Sequence, residues 1–336
     1  VGTPMSNAEA AVSVPPSPAP VVRAFGWSTL ALMVAFLVNV ILTFWGGLPG
    51  IGPVMGWNGG DAGVVAYLQA ALYPAALAAA CFFAFSTPDR SLRSDAERIS
   101  NANQFLIRAA FWVVFLVGLT DAAISFVRVE GLLPGLVGDE MTTALGKSVY
   151  RGMNVHVPVV ILSIVIACFT RSLGFIWLAL LVVLAELVIV FSRFVFSYEQ
   201  AFMGDLVRFW YAALFLFASA YTLFQDGHVR VDVLYTGMGR RMKGRVNAFG
   251  SIFLGMTLCW TVLLLGMWSK SAIIISPILV FETTQAGFGM YVKYFMAGFL
   301  AIFAISMLIQ FVVHLLEATA DARGEEGARE TAGGGH

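Results

Sequence analysis

The sequence predicts an all-α polytopic membrane protein with about eight transmembrane helices. Hydrophobic residues make up 59% of the 336 residues and charged residues only 12%, whereas soluble domains carry about 25% charged residues. The apolar residues form runs of about 20, long enough to cross a bilayer as helices. The formal net charge of zero argues against both intrinsic disorder and nucleic-acid binding. These observations exclude a soluble globular protein.

Eight apolar runs are candidate spans, at about residues 24–45, 62–86, 104–127, 152–170, 173–195, 206–224, 246–268 and 288–314. Only Arg171 and Ser172 separate the fourth and fifth runs, so the apolar sequence from Val155 to Phe196 is nearly continuous. A single helix of that length would exceed the hydrocarbon thickness about twofold, so we predict a tight turn at Arg171.

The distribution of Lys and Arg predicts that both termini are cytoplasmic. With eight spans and this orientation, thirteen basic residues fall on the cytoplasmic side and seven on the outer side. Five of the thirteen lie between Arg230 and Arg245. Cytoplasmic loops carry the excess of basic residues in membrane proteins, which favours this orientation over its inverse.

Sequence content divides the chain into four segments. Residues 1–22 form a predicted disordered, Pro-rich linker, in which the residues before Met5 resemble a remnant of cloning. Residues 23–170 carry four spans without a motif, and residues 171–317 carry four spans with nearly all of the distinctive polar sequence. Residues 318–336 form a predicted charged, flexible tail.

The most distinctive polar segment follows the sixth run and reads Gly-His-Val-Arg-Val-Asp-Val-Leu-Tyr. It contains His228, Arg230, Asp232 and Tyr235, and a basic run over 240–245 follows it. Valines alternate with charged residues, so one face of the segment is apolar and the other ionic. Such a segment can lie at the membrane interface, with the basic run near anionic headgroups. An ordinary cytoplasmic loop is the alternative interpretation.

With its flanks, this segment resembles the small membrane subunit, the DctQ component, of tripartite ATP-independent periplasmic (TRAP) transporters. Arg193-Phe-Val-Phe is similar to the Arg-Tyr-x-Phe of that family. Asp205 and Arg208, followed by Trp210, occupy the place of its Glu-Glu-x-x-Arg element and Trp, but the first acid is absent. The resemblance covers about residues 171–317, so we interpret the first four spans as an N-terminal extension.

The resemblance implies a non-catalytic subunit of a bacterial inner (plasma) membrane importer, without cofactor or metal. The implied partners are a large membrane subunit, which moves an organic acid with sodium ions, a periplasmic substrate-binding protein and membrane lipids. The small subunit would act as a scaffold for the large one. Structural or subunit-contact roles are implied for His228, Arg230, Asp232, Tyr235, Arg193, Asp205, Arg208 and Trp210.

Two acidic residues lie inside predicted spans, Asp121 in the third and Glu186 in the fifth. Ionisable groups inside a membrane are costly and are often functional. Each could belong to a cation or proton relay. Alternatively, each could form an internal ion pair, with Arg128 or Arg193 as nearby partners, or stay protonated against a neighbouring helix.

Two other functional classes are open from the sequence. The number of spans alone fits a stand-alone secondary transporter. A haem-bearing respiratory anchor would need histidines at matched depth on adjacent spans, and His156, His228 and His314 fall at different depths. The three cysteines lie far apart in apolar runs, which favours neither a disulfide framework nor a zinc site.

Overall fold

The computed structural model describes residues 18–57, 62–171, 175–224, 235, 237–284 and 287–327. Within these residues the regular structure is helical and contains no strand. The helices are α1 Pro20–Phe44, α2 Val64–Ser86, α3 Leu92–Val129, α4 Leu133–Val137, α5 Asp139–Leu145, α6 Ser148–Arg151, α7 Val157–Phe169, α8 Phe175–Phe196, α9 Ala201–Phe224, α10 Arg240–Gly250, α11 Thr257–Met267, α12 Ile275–Leu279 and α13 Lys293–Arg323.

Two π-helical stretches make continuous spans out of shorter helices. Gly152–His156 joins α6 to α7, and Ser251–Met256 joins α10 to α11. Counted this way, the described residues contain eight helices long and apolar enough to cross a membrane. The predicted all-α class and number of spans are therefore confirmed. The cytoplasmic location of the termini stays a prediction.

The third span starts earlier than its apolar run suggests. α3 has 38 residues, which corresponds to about 57 Å at 1.5 Å per residue, against a hydrocarbon core of about 30 Å. Its polar first turns are stabilised by Ser91, whose Oγ accepts a hydrogen bond from Ser94 N at 3.1 Å. The last span is also longer than predicted, since α13 continues to Arg323, so the tail boundary predicted at residue 318 falls inside this helix.

α3 and α13 lie at the centre of the bundle and pack against each other. Asn103 of α3 donates a hydrogen bond from Nδ2 to the carbonyl oxygen of Ser306 at 3.0 Å, and the same amide lies 3.3 Å from Gln310 Oε1. One apolar core surrounds α1, α11 and α13, and a second is formed by α3, α8, α9 and α13. Residues of the predicted N-terminal extension therefore share both cores with residues of the later segment.

α8 lies at the periphery of the bundle. Only 6% of its most apolar 18-residue window is buried, compared with 56% for α13. Most of its large apolar side chains are exposed, including Leu187, Val190 and Phe194. This helix therefore presents most of its surface to the bilayer or to another protein.

Candidate functional site

Asp121 is the centre of a buried ionic cluster at the end of the bundle where α3 ends and α13 begins. Its Oδ1 accepts hydrogen bonds from Arg151 Nη1 at 2.9 Å and His156 Nε2 at 3.0 Å. Its Oδ2 accepts the backbone N–H of Tyr291 at 2.7 Å. The Asp121 and Arg151 side chains are both 0% exposed. The carboxylate is thus paired inside the protein, and its ion-pair partner is Arg151 rather than Arg128.

The short helices between the third and fourth spans place these partners. The segment over 133–151 leads from the end of α3 back to its side, and the π-helical stretch that follows carries His156 into the cluster. His156 Nδ1 lies 2.5 Å from the hydroxyl of Tyr294. Gly152 permits the close approach, because a Cβ at this position would lie 2.2 Å from the ring of Phe281. A side chain at position 152 would have to displace the Phe281 ring, which packs edge to face against Tyr294.

Two arginines stack on Tyr291. The guanidinium carbons of Arg151 and Arg128 lie 4.2 and 4.7 Å from the centre of the Tyr291 ring, within the range of cation–π attraction. Arg128 Nη2 also donates to the carbonyl oxygen of Gly289 at 2.9 Å. The Tyr291 hydroxyl donates to the carbonyl oxygen of Gly146 at 2.8 Å. The segment before α13 is therefore held in place through the backbone carbonyl of Gly289 and through the side chain of Tyr291.

Asp205, one of the predicted site residues, holds the neighbouring position of the same segment. Its Oδ2 accepts the backbone N–H of Met290 at 3.0 Å, and the side chain is buried. Arg208 Nη1 lies 3.7 Å from Asp205 Oδ1 but is 72% exposed, so this pair contributes little to stability. The predicted i, i+3 neighbours therefore differ in their surroundings. Asp205 is buried and binds the backbone of Met290, whereas Arg208 is exposed.

Trp210 packs at a point where α9 and α3 come close together. Its Nε1 donates to the carbonyl oxygen of Val114 at 3.3 Å. A Cβ on Gly118 would lie 2.5 Å from the same Nε1 atom. The absence of a side chain at Gly118 is thus required for this contact. Trp210 is buried and holds two helices together.

Arg193 and the connection after it lie at the surface. Arg193 Nε pairs with Glu199 Oε2 at 3.3 Å, and both side chains are more than half exposed. In the same connection, the Tyr198 hydroxyl donates to Glu130 Oε1 at 2.5 Å. Partial burial and the adjacent Glu130 carboxylate together raise the pKa of Tyr198 to about 12, since both disfavour the phenolate. This bond ties the α8–α9 connection to the end of α3.

The whole of the predicted His-x-Arg-x-Asp motif, with His228, Arg230 and Asp232, lies outside the described residues. Tyr235, which ends the same polar segment, is described, and its hydroxyl accepts a hydrogen bond from Asn247 Nδ2 at 2.8 Å. The Lys243 ammonium lies 5.1 Å from the centre of the Tyr235 ring. These contacts connect the end of that segment to α10.

Glu186 is exposed, whereas Asp121 is buried among hydrogen-bond partners. Glu186 lies 11 residues after Phe175 and 10 before Phe196, the ends of α8, and is therefore about 15 Å from each end. The side chain is exposed. Within the described part of the chain it makes neither a hydrogen bond nor an ion pair, and Arg193 pairs elsewhere.

Sequence reasoning missed Arg151, Tyr291 and Gly118. Arg151 lies in a predicted outer connection, where polar residues are expected. Tyr291 lies at the start of the last predicted run, 288–314, where an aromatic residue is ordinary, so neither residue signals a place in a buried ionic cluster. Gly118 lies inside an apolar run, where a single glycine is unremarkable. Among the described residues no group of three His, Cys, Asp or Glu side chains is arranged to hold a metal ion.

Residues 179–321 match the family model described as "Tripartite ATP-independent periplasmic transporters, DctQ component". This part of the chain is DctQ-like. The match confirms the resemblance predicted from the motif and its flanks. It indicates a small membrane subunit of a TRAP transporter. Neither the curated proteins nor the solved structures contain a match to the chain.

The ionic cluster joins the DctQ-like segment to the residues before it. Tyr291, Tyr294 and Asp205 lie within the matched range, whereas Asp121 and Arg151 precede it. The first four spans are thus bound to the DctQ-like segment through buried polar contacts as well as through the two apolar cores.

Proposed function

We propose that the protein is the small membrane subunit that holds the large permease subunit of a TRAP transporter in place. The large subunit would move an organic acid together with sodium ions, after a periplasmic binding protein delivers the acid. The complex would lie in the bacterial inner membrane, with both termini of this chain in the cytoplasm. The family match supports the transporter class, and the surface of α8 supports the scaffolding role.

The exposed carboxyl of Glu186 is the observation that carries the scaffolding role. An acidic or basic group at the centre of a span costs about 2.5–3.5 kcal/mol on apparent insertion scales. A hydrogen-bond donor or cation on a neighbouring protein would offset that cost, whereas lipid chains offer neither. We therefore assign the exposed side of α8, with Leu187 and Val190 beside Glu186, as the surface that contacts the large subunit.

The backbone of the described spans favours a scaffold over a stand-alone transporter. Intramembrane ion and substrate sites are typically built from broken helices whose free carbonyls and N–H groups act as ligands. α9 and α13 are continuous α-helices across their full length, and the π-helical stretches Gly152–His156 and Ser251–Met256 join their neighbouring helices without a break. Asp121 already accepts bonds from three donors of this chain. These features support a role in which another polypeptide supplies the transport site.

Reconstitution tests the proposal directly. The purified chain alone in liposomes is expected to move no organic acid down a sodium gradient. Addition of the large subunit and the periplasmic binding protein is expected to produce sodium-dependent uptake. Uptake by the single chain would overturn the scaffolding role and establish a stand-alone transporter.

Copurification tests the contact surface separately. Glu186→Leu is expected to reduce recovery of the large subunit with a tagged form of this chain, because the partner loses its polar contact. Glu199→Leu is the matched control, since this acid lies outside the spans and, within the described residues, pairs with exposed Arg193. Equal recovery with Glu186→Leu and Glu199→Leu would remove α8 as the contact surface.

A further inference from the structure

α1 and α2 leave an apolar groove of about 710 Å³ between them. Leu30, Val34 and Val38 of α1 form one wall. Ala75 and Ala79 of α2 form part of the other wall, where their small side chains leave the space open. Both helices are candidate spans, and Val34 and Val38 are exposed. The groove therefore opens toward the hydrocarbon of the bilayer.

Two aromatic rings mark one end of the groove. Trp27 and Phe83 both line it and meet edge to face with ring centres 5.1 Å apart. Trp27 is fixed there because its Nε1 donates to Asp95 Oδ2 at 2.9 Å. Tryptophan is enriched at the level of lipid headgroups, where one side of the ring is apolar and the N–H is polar. This end of the groove therefore lies at headgroup depth.

An arginine with an unused donor lies beside these rings. The guanidinium carbon of Arg90 is 5.2 Å from the centre of the Phe83 ring. Its Nη1 is buried and has no hydrogen-bond acceptor among the described residues. The nearby Arg23 differs, since it pairs with Asp95 at 2.7 Å and also donates to the carbonyl oxygen of Ala84. A buried cationic N–H without an acceptor is costly, so a turn of the Arg90 side chain toward an anionic ligand beside Phe83 is favoured.

We propose that the groove binds one acyl chain of an anionic phospholipid, whose phosphate accepts hydrogen bonds from Arg90. The volume lies within the range of about 300–1,000 Å³ found for small-molecule sites. The walls suit an acyl chain, because lipid tails are as apolar as the side chains that line them. Arginine forms strong, charge-assisted hydrogen bonds with phosphate. One lipid molecule thus accounts for both the open groove and the unpaired donor.

The residues that form the site all lie outside the DctQ-like segment, because α1, α2 and Arg90 precede residue 179. Its test therefore does not depend on the transporter role. The full-length chain is purified in mild detergent, depleted of lipid and then mixed with phosphatidylglycerol or phosphatidylcholine. Native mass spectrometry counts the lipids that each variant retains. The wild-type chain is expected to retain one phosphatidylglycerol per chain and less phosphatidylcholine.

Two variants distinguish the part of the site that binds the acyl chain of the lipid from the part that binds its headgroup. Ala79→Trp fills the groove and is expected to reduce retention of both lipids. Arg90→Gln is expected to lower the preference for phosphatidylglycerol about fivefold, since one basic residue near the surface contributes that much toward anionic lipids. Ala78→Trp is the matched control, because Ala78 is exposed on the same helix but does not line the groove.

Each variant is checked for folding by its elution as a single species from a size-exclusion column. If Ala79→Trp aggregates, Ala31→Leu on the opposite wall of the groove takes its place. Undiminished retention of both lipids in the groove-filling variant would overturn the site. An unchanged headgroup preference in Arg90→Gln would overturn the role of Arg90. If Ala79→Trp retains both lipids but no longer copurifies with the large subunit, a partner helix rather than a lipid occupies the groove.

Discussion

Replacement of Asp121 by Asn tests whether the buried cluster stabilises the junction between the DctQ-like segment and the preceding spans. The substitution keeps the size of the side chain but removes its charge. Arg151 then remains buried with its guanidinium unpaired, although it keeps its bonds to Leu145 O at 3.0 Å and Ser125 Oγ at 3.2 Å. The structure therefore predicts a large loss of stability from a small change in shape.

The magnitude follows from the burial of the pair. Loss of one member of a buried ion pair typically costs about 3–5 kcal/mol, and we expect the lower end because Arg151 retains other acceptors. A loss of about 3 kcal/mol corresponds to a fall of roughly 5–10 °C in the apparent melting temperature of a large domain. Arg208→Gln is the control, since this arginine is 72% exposed and its pair is expected to contribute about 0–1 kcal/mol.

Thermal unfolding of the purified chain in detergent, followed by size-exclusion chromatography, measures both variants. A further variant, Asp121→Asn with Arg151→Met, removes both charges and is expected to be more stable than the sum of the single losses predicts. Equal melting temperatures for Asp121→Asn and Arg208→Gln would refute the reasoning. Strict additivity of the two cluster substitutions would show that Asp121 and Arg151 do not interact energetically.

Three other outcomes are expected. Gly118→Ala should cost about 1–3 kcal/mol of stability through its clash with Trp210 Nε1, whereas Gly204→Ala, with open space around it, should leave the melting temperature unchanged or raise it. Arg230→Ala and Asp232→Ala should each weaken uptake or assembly modestly, because an exposed ion pair contributes about 0–1 kcal/mol of interaction free energy. The charge-reversed double variant should recover part of the loss if the two residues pair. In a background without the native cysteines, a cysteine at Asp139 should react with an impermeant thiol reagent in intact cells and one at Arg241 should not; the reverse pattern would invert the topology.

The site residues divide according to how far their surroundings could be predicted. Asp205 and Trp210 were identified from their resemblance to a family pattern, and both are buried at helix contacts. Arg208, from the same pattern, is exposed. Neighbouring positions on one helix can face opposite directions, and only the packing of α9 against α3 decides which of them is enclosed.

Sequence by itself determined the class of the protein, the number of its spans and the DctQ-like segment. A bilayer offers no hydrogen bonds to the backbone, so each long apolar run must form a helix whatever its neighbours are. The ends of α3 and α13 extend beyond their apolar runs, because capping and contacts outside the membrane continue the helices there.

Only the tertiary structure decided that Asp121 is enclosed and Glu186 exposed. Each is the single acid of its predicted apolar run, 104–127 or 173–195, and hydropathy treats them alike. The difference arises because the short helices over 133–151 return Arg151 to the side of α3, whereas no described element covers Glu186 on α8. A charge becomes paired through contacts with residues distant in sequence, and the local composition of a span holds no information about them.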